Sequence, residues 1–300
     1  MPEDKPESDI DMSFSNDSNC ADAPNARYIN GDDMQIESTK YYQAILSIRK
    51  RYPYAKLSKD TREAFEKDLC LRLSWNTNSL EGNTLTLEET VDALEYDEVR
   101  SGHTYSEYTE AKNAYRANCE LTFEEKRRIS VNLIRQINGI IMGTKGEFRS
   151  RQVYVGSIAE VAWMPPRPEE ITDKMEQWSA EVLNAFENTD CSAAIEKEQP
   201  DLAQNIRKIA KLHMQFEMIH PFQDGNGRTG RLIMNQMLLN TGLLPAVILN
   251  QSKYRQAFRI YKRNQNTALM EYCIAAGVAK TYEILGDICR KMGEPAEEQP

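Results

Sequence analysis

Apolar residues recur at helical spacing along almost the whole chain beyond residue 33. Four hydroxyl residues that precede such runs are predicted N-caps: Ser58, Thr86, Thr104 and Thr122. The three Thr each have Glu three positions later, which is the spacing of a capping box. The pattern predicts ten helices, near residues 38–51, 59–76, 87–99, 105–118, 123–142, 168–187, 200–219, 227–240, 252–264 and 267–291.

One stretch departs from the helical pattern. Residues 152–156 and 158–163 are rich in β-prone side chains, and Pro165 and Pro166 follow them. Strands nowhere alternate with helices, which excludes a parallel α/β sheet. The sequence therefore predicts an all-α fold with one small β-hairpin, which we call the flap (residues 152–163).

The net charge of −9 is concentrated at the two ends of the chain. Residues 1–33 hold nine acidic residues against two basic ones, and the last seven residues hold three Glu. The body that remains is close to neutral, so a broad basic surface for nucleic acid is excluded. The predicted organisation is a disordered acidic arm (1–37), an N-terminal helical region (38–120), a second helical domain (121–292) and an acidic tail (293–300).

Composition also limits cofactors and location. The six cysteines form no CxxC pair and no apolar N-terminal stretch predicts a signal peptide, so we expect reduced thiols and a cytoplasmic protein. The longest uncharged run, between Arg231 and Lys253, is too polar for a membrane span. His103, His213 and His220 are the three histidines, which leaves little room for a multi-His zinc site.

Residues 220–231 carry the strongest chemical signal and read His-Pro-Phe-Gln-Asp-Gly-Asn-Gly-Arg-Thr-Gly-Arg. Proline at position 221 ends the preceding helix, and a new helix begins near Gly227. Gly225 and Gly227 let backbone amides approach an anion at the positive end of that helix. Arg228 and Arg231 lie on one face of the same helix, so the segment predicts a polyphosphate site.

Two further side chains complete this predicted site. Asp224 offers a hard oxygen ligand for Mg²⁺, although it could merely cap the following helix. His220 stands at the rim, where it could take a proton from an incoming hydroxyl. His213 lies two turns earlier and is better explained as a core histidine.

The segment resembles the signature HPFx[D/E]GNGRxxR of Fic-domain proteins, with every fixed position matched. The resemblance implies a helical enzyme that transfers AMP from Mg·ATP to a Ser, Thr or Tyr hydroxyl of a protein. It implies that His220 is the general base and that Asp224 binds Mg²⁺. The phosphates would be held by Gly225, Asn226, Gly227, Arg228 and Arg231.

The resemblance extends beyond this segment. The flap resembles the hairpin on which relatives dock their targets by β-strand addition, which assigns target docking to Val155, Gly156, Ser157 and Ile158. Asn264 is similar to a family residue near the nucleoside. The expected partner is a protein target at the flap; self-modification and a homodimer stay open.

A shorter motif lies upstream in residues 77–83, which read Thr-Asn-Ser-Leu-Glu-Gly-Asn. It resembles the family's inhibitory signature [S/T]xxxE[G/N], in which the glutamate pairs with the second arginine of the main motif. The resemblance thus implies auto-inhibition of the enzyme by a Glu81–Arg231 pair. The alternative is that Glu81 simply ends a helix before Gly82.

Three other functions remain open on the same residues. The fold could remove AMP from proteins, with Glu81 positioning the attacking water. It could transfer phosphate, although the phosphorylating relatives have Lys where this chain has Gly227. It could also be a nucleotide-binding regulator with negligible turnover.

Overall fold

Helices account for nearly all regular structure in the residues that the computed structural model describes, which are 31–123, 126–156, 161–186 and 199–297. This confirms the predicted all-α fold. The ten helices of these ranges are α1 (Gly31–Arg51), α2 (Lys59–Leu80), α3 (Leu87–Glu95), α4 (Tyr105–Asn118), α5 (Val131–Met142), α6 (Ile171–Phe186), α7 (Gln199–Ile219), α8 (Asn226–Asn240), α9 (Gln251–Asn264) and α10 (Ala268–Met292). Short 3-10 turns lie at Tyr54–Lys56 and Pro168–Glu170.

The predicted flap is confirmed as a two-stranded antiparallel hairpin. Strand β1 (Val155–Gly156) pairs with β2 (Val161–Trp163), with Val155 opposite Trp163. The predicted docking residues Ser157 and Ile158 lie outside the described residues.

Helix α8 is the buried centre of the fold, and its polar side chains fix the neighbouring loops. Asn235 Oδ1 accepts a hydrogen bond from Ala246 N at 2.9 Å. Asn240 bonds both backbone groups of Arg127, at 3.0 and 2.8 Å. Because a buried polar group is costly unless it is hydrogen-bonded, these contacts hold the segments before α5 and before α9 against α8.

Helix α10 packs against α1, α2, α7 and α9 and closes the other side of the core. The described part of the acidic tail folds back on the turn between α1 and α2. Glu294 Oε1 accepts a hydrogen bond from Ser58 N at 3.0 Å, and Glu297 pairs with Lys56 at 2.6 Å. Among the described residues, none of the helices combines the length and the apolar character that a bilayer span requires.

Three of the four predicted N-caps are confirmed. The side chains of Ser58, Thr86 and Thr104 accept hydrogen bonds from the first turns of α2, α3 and α4, with complete capping boxes at Thr86 and Thr104. The prediction for Thr122 is wrong, because its N and Oγ1 donate to Gln236 on α8 at 3.1 and 3.3 Å. Helix α5 therefore begins at Val131 instead of residue 123, with Ser130 as its N-cap.

Other helix ends differ from the sequence pattern by a few residues. Residues 31–37, predicted to end the disordered arm, belong to α1 instead. Helix α2 continues to Leu80, four residues beyond its predicted end, so Glu81 is its C-cap.

Candidate active site

His220 occupies a sharp turn between α7 and α8. Its φ of +49° lies in the left-handed region, which is uncommon for a residue other than glycine, and the following Pro221 disfavours the right-handed helical conformation that would continue α7. The imidazole is half-buried, and the Trp163 ring of the flap packs edge-on against it with centroids 6.5 Å apart. Burial lowers the pKa of His220 to about 4, so its ring is neutral at pH 7 and can accept a proton.

Arg149 fixes this turn, a role that sequence reasoning missed. Its Nε donates to the His220 carbonyl at 2.9 Å, and its own backbone N donates to the Pro221 carbonyl at 3.0 Å. Its Nη2 donates to the Pro166 carbonyl at 2.5 Å, just beyond the flap. One buried guanidinium thus holds the His220 turn and the base of the flap together.

The loop into α8 is braced by Asn226. Its amide closes a ring with Phe222, with Oδ1 accepting from the backbone N and Nδ2 donating to the carbonyl, each at 2.9 Å. Phe222 is buried and packs against Phe148 at a centroid distance of 5.5 Å. The side chain of Asn226 is therefore committed to the loop, and its backbone amide is the group left for a ligand.

Two glycines at this helix start are required by space. Gly225 has φ +75°, and a Cβ there would stand 2.6 Å from Met142 Sδ. A Cβ at Gly227 would collide with Glu81 Oε1 and stand 3.0 Å from Arg231 Nη1. Gly227 therefore allows Glu81 and Arg231 to meet directly against the backbone of α8.

The structure brings Glu81 and Arg231 together as an ion pair. Arg231 Nη2 donates to Glu81 Oε1 at 2.5 Å; the arginine side chain is 6% exposed and the glutamate 43%. Thr77 holds the same guanidinium, since Nε donates to its Oγ1 at 2.9 Å and Nη2 to its carbonyl at 3.0 Å. Thr77 is the first position of the 77–83 motif, four residues before Glu81 on the same helix face, so this motif position is the signal for its role.

The charges of this pair reinforce each other. Burial acts to raise the pKa of Glu81, but the charge and hydrogen bond of Arg231 outweigh it and the pKa lies below its ordinary value. Burial likewise opposes the charge of Arg231, yet Glu81 raises the pKa of Arg231 above its ordinary value. Both groups are therefore ionised over the physiological range.

Arg228 is buried but more loosely held than Arg231. Its nearest carboxylate oxygens, on Glu110 and Asp224, each lie 3.8 Å away, and Nη2 donates to Met142 Sδ at 3.4 Å. Its Nε has no hydrogen-bond partner among the described residues. This leaves a desolvated cation with donor capacity to spare at the start of α8.

Glu110 is a second acidic residue that sequence reasoning missed. It lies on α4 and accepts from Asn83 Nδ2 at 3.0 Å while it faces Arg228. It therefore links the end of the 77–83 motif to the first arginine of the main motif. No local pattern marks it, because its partners lie far away in the sequence.

Asp224 is the most exposed acidic group of the segment, with 72% of its side chain exposed. Its Oδ1 accepts from Gly225 N at 2.5 Å, but Gly225 is the N-cap residue itself and no side chain caps the first turn of α8, so the capping alternative for Asp224 is wrong. The described residues contain no cluster of three or more His, Cys, Asp or Glu side chains that could hold a metal ion.

Three buried residues, His213, Glu217 and Tyr254, lie near Arg231 in the core. His213 is fully buried and its Nε2 shares a hydrogen bond of 2.7 Å with the Tyr254 hydroxyl, which confirms it as a core histidine. The Arg231 guanidinium stands 5.8 Å from the centre of the Tyr254 ring, within cation–π range. Burial raises the pKa of the neighbouring Glu217 to about 8, so it is mostly protonated at pH 7.

Asn264 is not joined to this site by any hydrogen bond within the described part of the chain. It is the exposed last residue of α9, and its Oδ1 accepts from Asn266 N at 3.1 Å. Of the predicted docking residues, Val155 and Gly156 lie on β1, on the hairpin whose Trp163 contacts His220.

Comparisons with known proteins identify the family that this chain is similar to. The model of the Fic/DOC family matches residues 128–238. The chain is 27% identical over 218 residues to a protein adenylyltransferase fic-1 from Caenorhabditis briggsae, covering 70% of this chain and 39% of the relative. It is 30% identical over 201 residues to a protein adenylyltransferase Fic from Culex quinquefasciatus, covering 63% and 36%. The chain thus spans less than half the length of these relatives.

Solved structures resemble the fold. A Fic domain containing signaling protein from Bacteroides thetaiotaomicron superposes with a TM-score of 0.67 at 22% identity, covering 88% of this chain and all of that one. Fic-1 from C. elegans superposes with a TM-score of 0.63 at 19% identity, covering 85% and 72%. Sequence, family model and fold agree, and residues 128–238 of this chain therefore form a Fic domain.

Proposed function

We propose that this chain is a protein adenylyltransferase, which transfers AMP from ATP to a hydroxyl of a protein. The observation that carries the proposal is the buried, multiply bonded Arg231 beside Gly227 at the positive end of α8. A desolvated guanidinium next to a helix start is a strong site for phosphate oxygens. The relatives named protein adenylyltransferase support the same conclusion.

The phosphates of ATP are expected at the start of α8. The backbone amides of Asn226 and Gly227 donate from the turn, joined by that of Gly225 once it leaves Asp224 Oδ1, and Arg228 supplies a buried cation whose nearest carboxylate oxygens lie 3.8 Å away. Arg231 joins them once it is free of Glu81. Positive charge is thereby arranged before the ligand arrives, which is the main way such sites stabilise a transition state.

The family implies Mg²⁺, and the residues present fit one mode of holding it. An all-protein site does not fit, since the described residues hold no cluster of three acidic or other metal-ligating side chains. Mg²⁺ in nucleotide sites uses one or two carboxylates with phosphate and water oxygens, and exposed Asp224 can supply one. When bound, the ion would neutralise charge on the phosphates.

His220 performs the proton transfer in this proposal. Its neutral imidazole takes the proton from the target hydroxyl while the hydroxyl oxygen bonds to the α-phosphorus. The bond from that phosphorus to the bridging oxygen of the β-phosphate breaks, and pyrophosphate leaves. Arg149 keeps His220 in place through its carbonyl, and Trp163 shields one side of the imidazole from water.

The target would dock on the flap, with the edges of β1 and β2 offering backbone groups to an added strand. Contact between the flap and His220 supports this position, because a strand bound there passes close to the base. Exposed Tyr154 and Met164 flank the hairpin and provide apolar contact area. A cytoplasmic location belongs to the same proposal, with Cys70, Cys119, Cys273 and Cys289 all unpaired.

Glu81 restrains the enzyme by occupying Arg231. The carboxylate lies where a phosphate oxygen would otherwise meet this guanidinium, and its charge repels an incoming phosphate. Three hydrogen bonds from the end of α2 hold Arg231 in this arrangement. Productive ATP binding therefore requires Glu81 to leave.

Removal of AMP is the second candidate, and the position of Glu81 favours it. Glu81 Oε2 has no hydrogen-bond partner among the described residues and the side chain is 43% exposed, so it could orient a water.

An experiment with labelled ATP separates the candidate functions. Adenylyl transfer places an α-phosphate label on protein and phosphate transfer places a γ-phosphate label. An AMP-removing enzyme releases label from a pre-modified protein, and a regulator does neither.

A further inference from the structure

Two cysteines face each other where α2 packs against the end of α4, away from the proposed active site. Cys70 lies on α2 and is 7% exposed, whereas Cys119 is the exposed C-cap of α4. The exposed thiol can meet a dissolved reagent and the buried one cannot.

Hydrogen bonds fix the two helices in this register. Cys70 Sγ donates to the carbonyl of Asn118 at 3.7 Å, which is the peptide unit that leads directly into Cys119. Asn118 Nδ2 donates to Ser74 Oγ at 3.1 Å, one turn further along α2. The thiols of Cys70 and Cys119 lie close enough for each to shift the pKa of the other. The Cys70 thiol is thus held against the peptide unit that precedes Cys119.

The two thiols have unequal acidity. The neighbouring Cys70 thiol lowers the pKa of Cys119 to about 7; burial opposes this shift and Tyr115 assists it. Cys119, together with burial, raises the pKa of Cys70 above its ordinary value. An exposed, acidic thiol beside a second thiol is the usual arrangement of a reversible oxidation site.

We propose that Cys119 and Cys70 form a reversible disulfide site that reacts with hydroperoxides, with Cys119 as the attacking thiol. The Cys119 thiolate attacks one peroxide oxygen, the O–O bond breaks, and the other oxygen leaves as water after taking a proton. Sulfur is oxidised to a sulfenic acid and the peroxide is reduced. Cys70 sulfur then bonds to Cys119 sulfur, the S–O bond breaks, and the departing hydroxide takes the Cys70 proton. Two thiols and one hydrogen peroxide thus give one disulfide and two waters.

The bond has a structural consequence for α2. This helix ends at Leu80 and carries Thr77 and Glu81, the residues that hold Arg231. A disulfide to Cys119 would tie α2 to α4 and so oppose withdrawal of Glu81. This consequence rests on the proposed function, whereas the thiol chemistry does not.

Peptide mapping of the folded, full-length chain tests the site. The reduced protein is treated with an equivalent of hydrogen peroxide, remaining thiols are blocked with N-ethylmaleimide, and peptides are analysed by mass spectrometry. We expect a linked pair of peptides containing Cys70 and Cys119, with a protein mass lower by about 2 Da that dithiothreitol restores. Free, alkylated Cys70 and Cys119 after this treatment, or links only to other cysteines, would overturn the proposal.

Variants separate the two roles. Cys119→Ala should abolish the link, whereas Cys70→Ala should leave Cys119 as a sulfenic or sulfinic acid, with a gain of about 16 or 32 Da. Alkylation of Cys119 by iodoacetamide at pH 7 should slow about 3-fold in Cys70→Ala, because its thiolate fraction falls more than its nucleophilicity rises. Cys289→Ser, a buried thiol on α10, is the control and should leave the link intact. These readouts require no AMP transfer, so they can fail or succeed independently of the proposed function.

Discussion

Arg228 and Arg231 lie one turn apart on α8 but have very different partners. Arg231 makes three hydrogen bonds to Thr77 and Glu81, while the carboxylates nearest to Arg228 stay 3.8 Å away. Removing one member of a buried pair typically costs about 3–5 kcal/mol. A ligand phosphate must replace that interaction at Arg231, whereas at Arg228 it meets a guanidinium with donors to spare.

His220→Ala should lower AMP transfer by about 10²–10⁴-fold, because it removes the general base. ATP affinity in calorimetry should change little, since the imidazole acts on the hydroxyl and not on the nucleotide. An equal loss of ATP affinity would assign His220 to binding instead.

The pH profile carries a second expectation for the same residue. Burial lowers the pKa of His220 to about 4, and a base acts only when unprotonated. The transfer rate should therefore be level between about pH 6 and 8 and fall as the pH decreases toward that pKa. A rate that climbs through the ordinary histidine pKa would contradict this environment.

Gly227→Ala tests the close contact between α8 and the ion pair. Alanine favours a helix over glycine by about 1 kcal/mol, but its Cβ would collide with Glu81 Oε1. We expect chemical denaturation to show a loss of about 1–2 kcal/mol when Glu81 is present. In a Glu81→Gly background the loss should shrink or reverse, and equal losses in both backgrounds would show that Glu81 is not what the new methyl group meets.

At the scale of elements, the end of α2 is held by the segment before α9 and by α9 itself. Asn76 bonds both backbone groups of Ile248, at 2.8 and 2.9 Å. Gln251 and Arg255 donate to the Leu80 carbonyl at 2.9 and 3.0 Å, which satisfies the open end of the helix. The position of Glu81 therefore depends on contacts made by the whole end of the helix.

Asn76→Ala should weaken this attachment. It leaves two buried backbone groups of Ile248 unpaired, so we expect a loss of about 2–4 kcal/mol in the free energy of unfolding. AMP transfer should rise to a level between wild type and Glu81→Gly, because α2 holds Glu81 less firmly. Ser79→Ala is the matched control, since its hydroxyl bonds within α2; an equal effect from that variant would argue against the Ile248 attachment.

The helices and the main motif were predictable because their signals are local. Caps at Thr86 and Thr104, and the loop and helix start at 220–231, depend on neighbours in the sequence. The N-cap prediction for Thr122 failed because its hydroxyl donates a hydrogen bond to Gln236, which is 114 positions away in the sequence.

Contacts between distant segments explain why the sequence did not predict the other residues of the site. Arg149 reaches the His220 carbonyl across 71 positions, and Glu110 reaches Arg228 from a different helix. The Glu81–Arg231 pair spans 150 positions and followed only from resemblance to a family motif. No periodicity or spacing in one sequence encodes which distant side chains meet.

At the scale of the whole molecule, the buried Glu217 makes stability depend on pH. Burial raises its pKa from 4.5 to about 8, so the folded state keeps a proton that the unfolded state releases. The free energy of unfolding should therefore fall as the pH rises between these values, by up to about 1.4 kcal/mol per pH unit. Thermal melts of Glu217→Gln should show a weaker decline over this range. An identical decline in both proteins would show that another group is responsible.

The Glu81–Arg231 ion pair connects a single residue, a helix end and the activity of the whole molecule. One carboxylate at the end of α2 pairs with the guanidinium of α8 that the proposed reaction needs. The most direct test is the initial rate of α-labelled AMP incorporation into protein by wild type and Glu81→Gly under identical conditions. We predict a rate about 10²–10³-fold higher in Glu81→Gly, which corresponds to releasing a partly buried pair, and a rate about 10²–10⁴-fold below that of Glu81→Gly when His220→Ala is added. A folded Glu81→Gly variant with the wild-type rate would contradict the account.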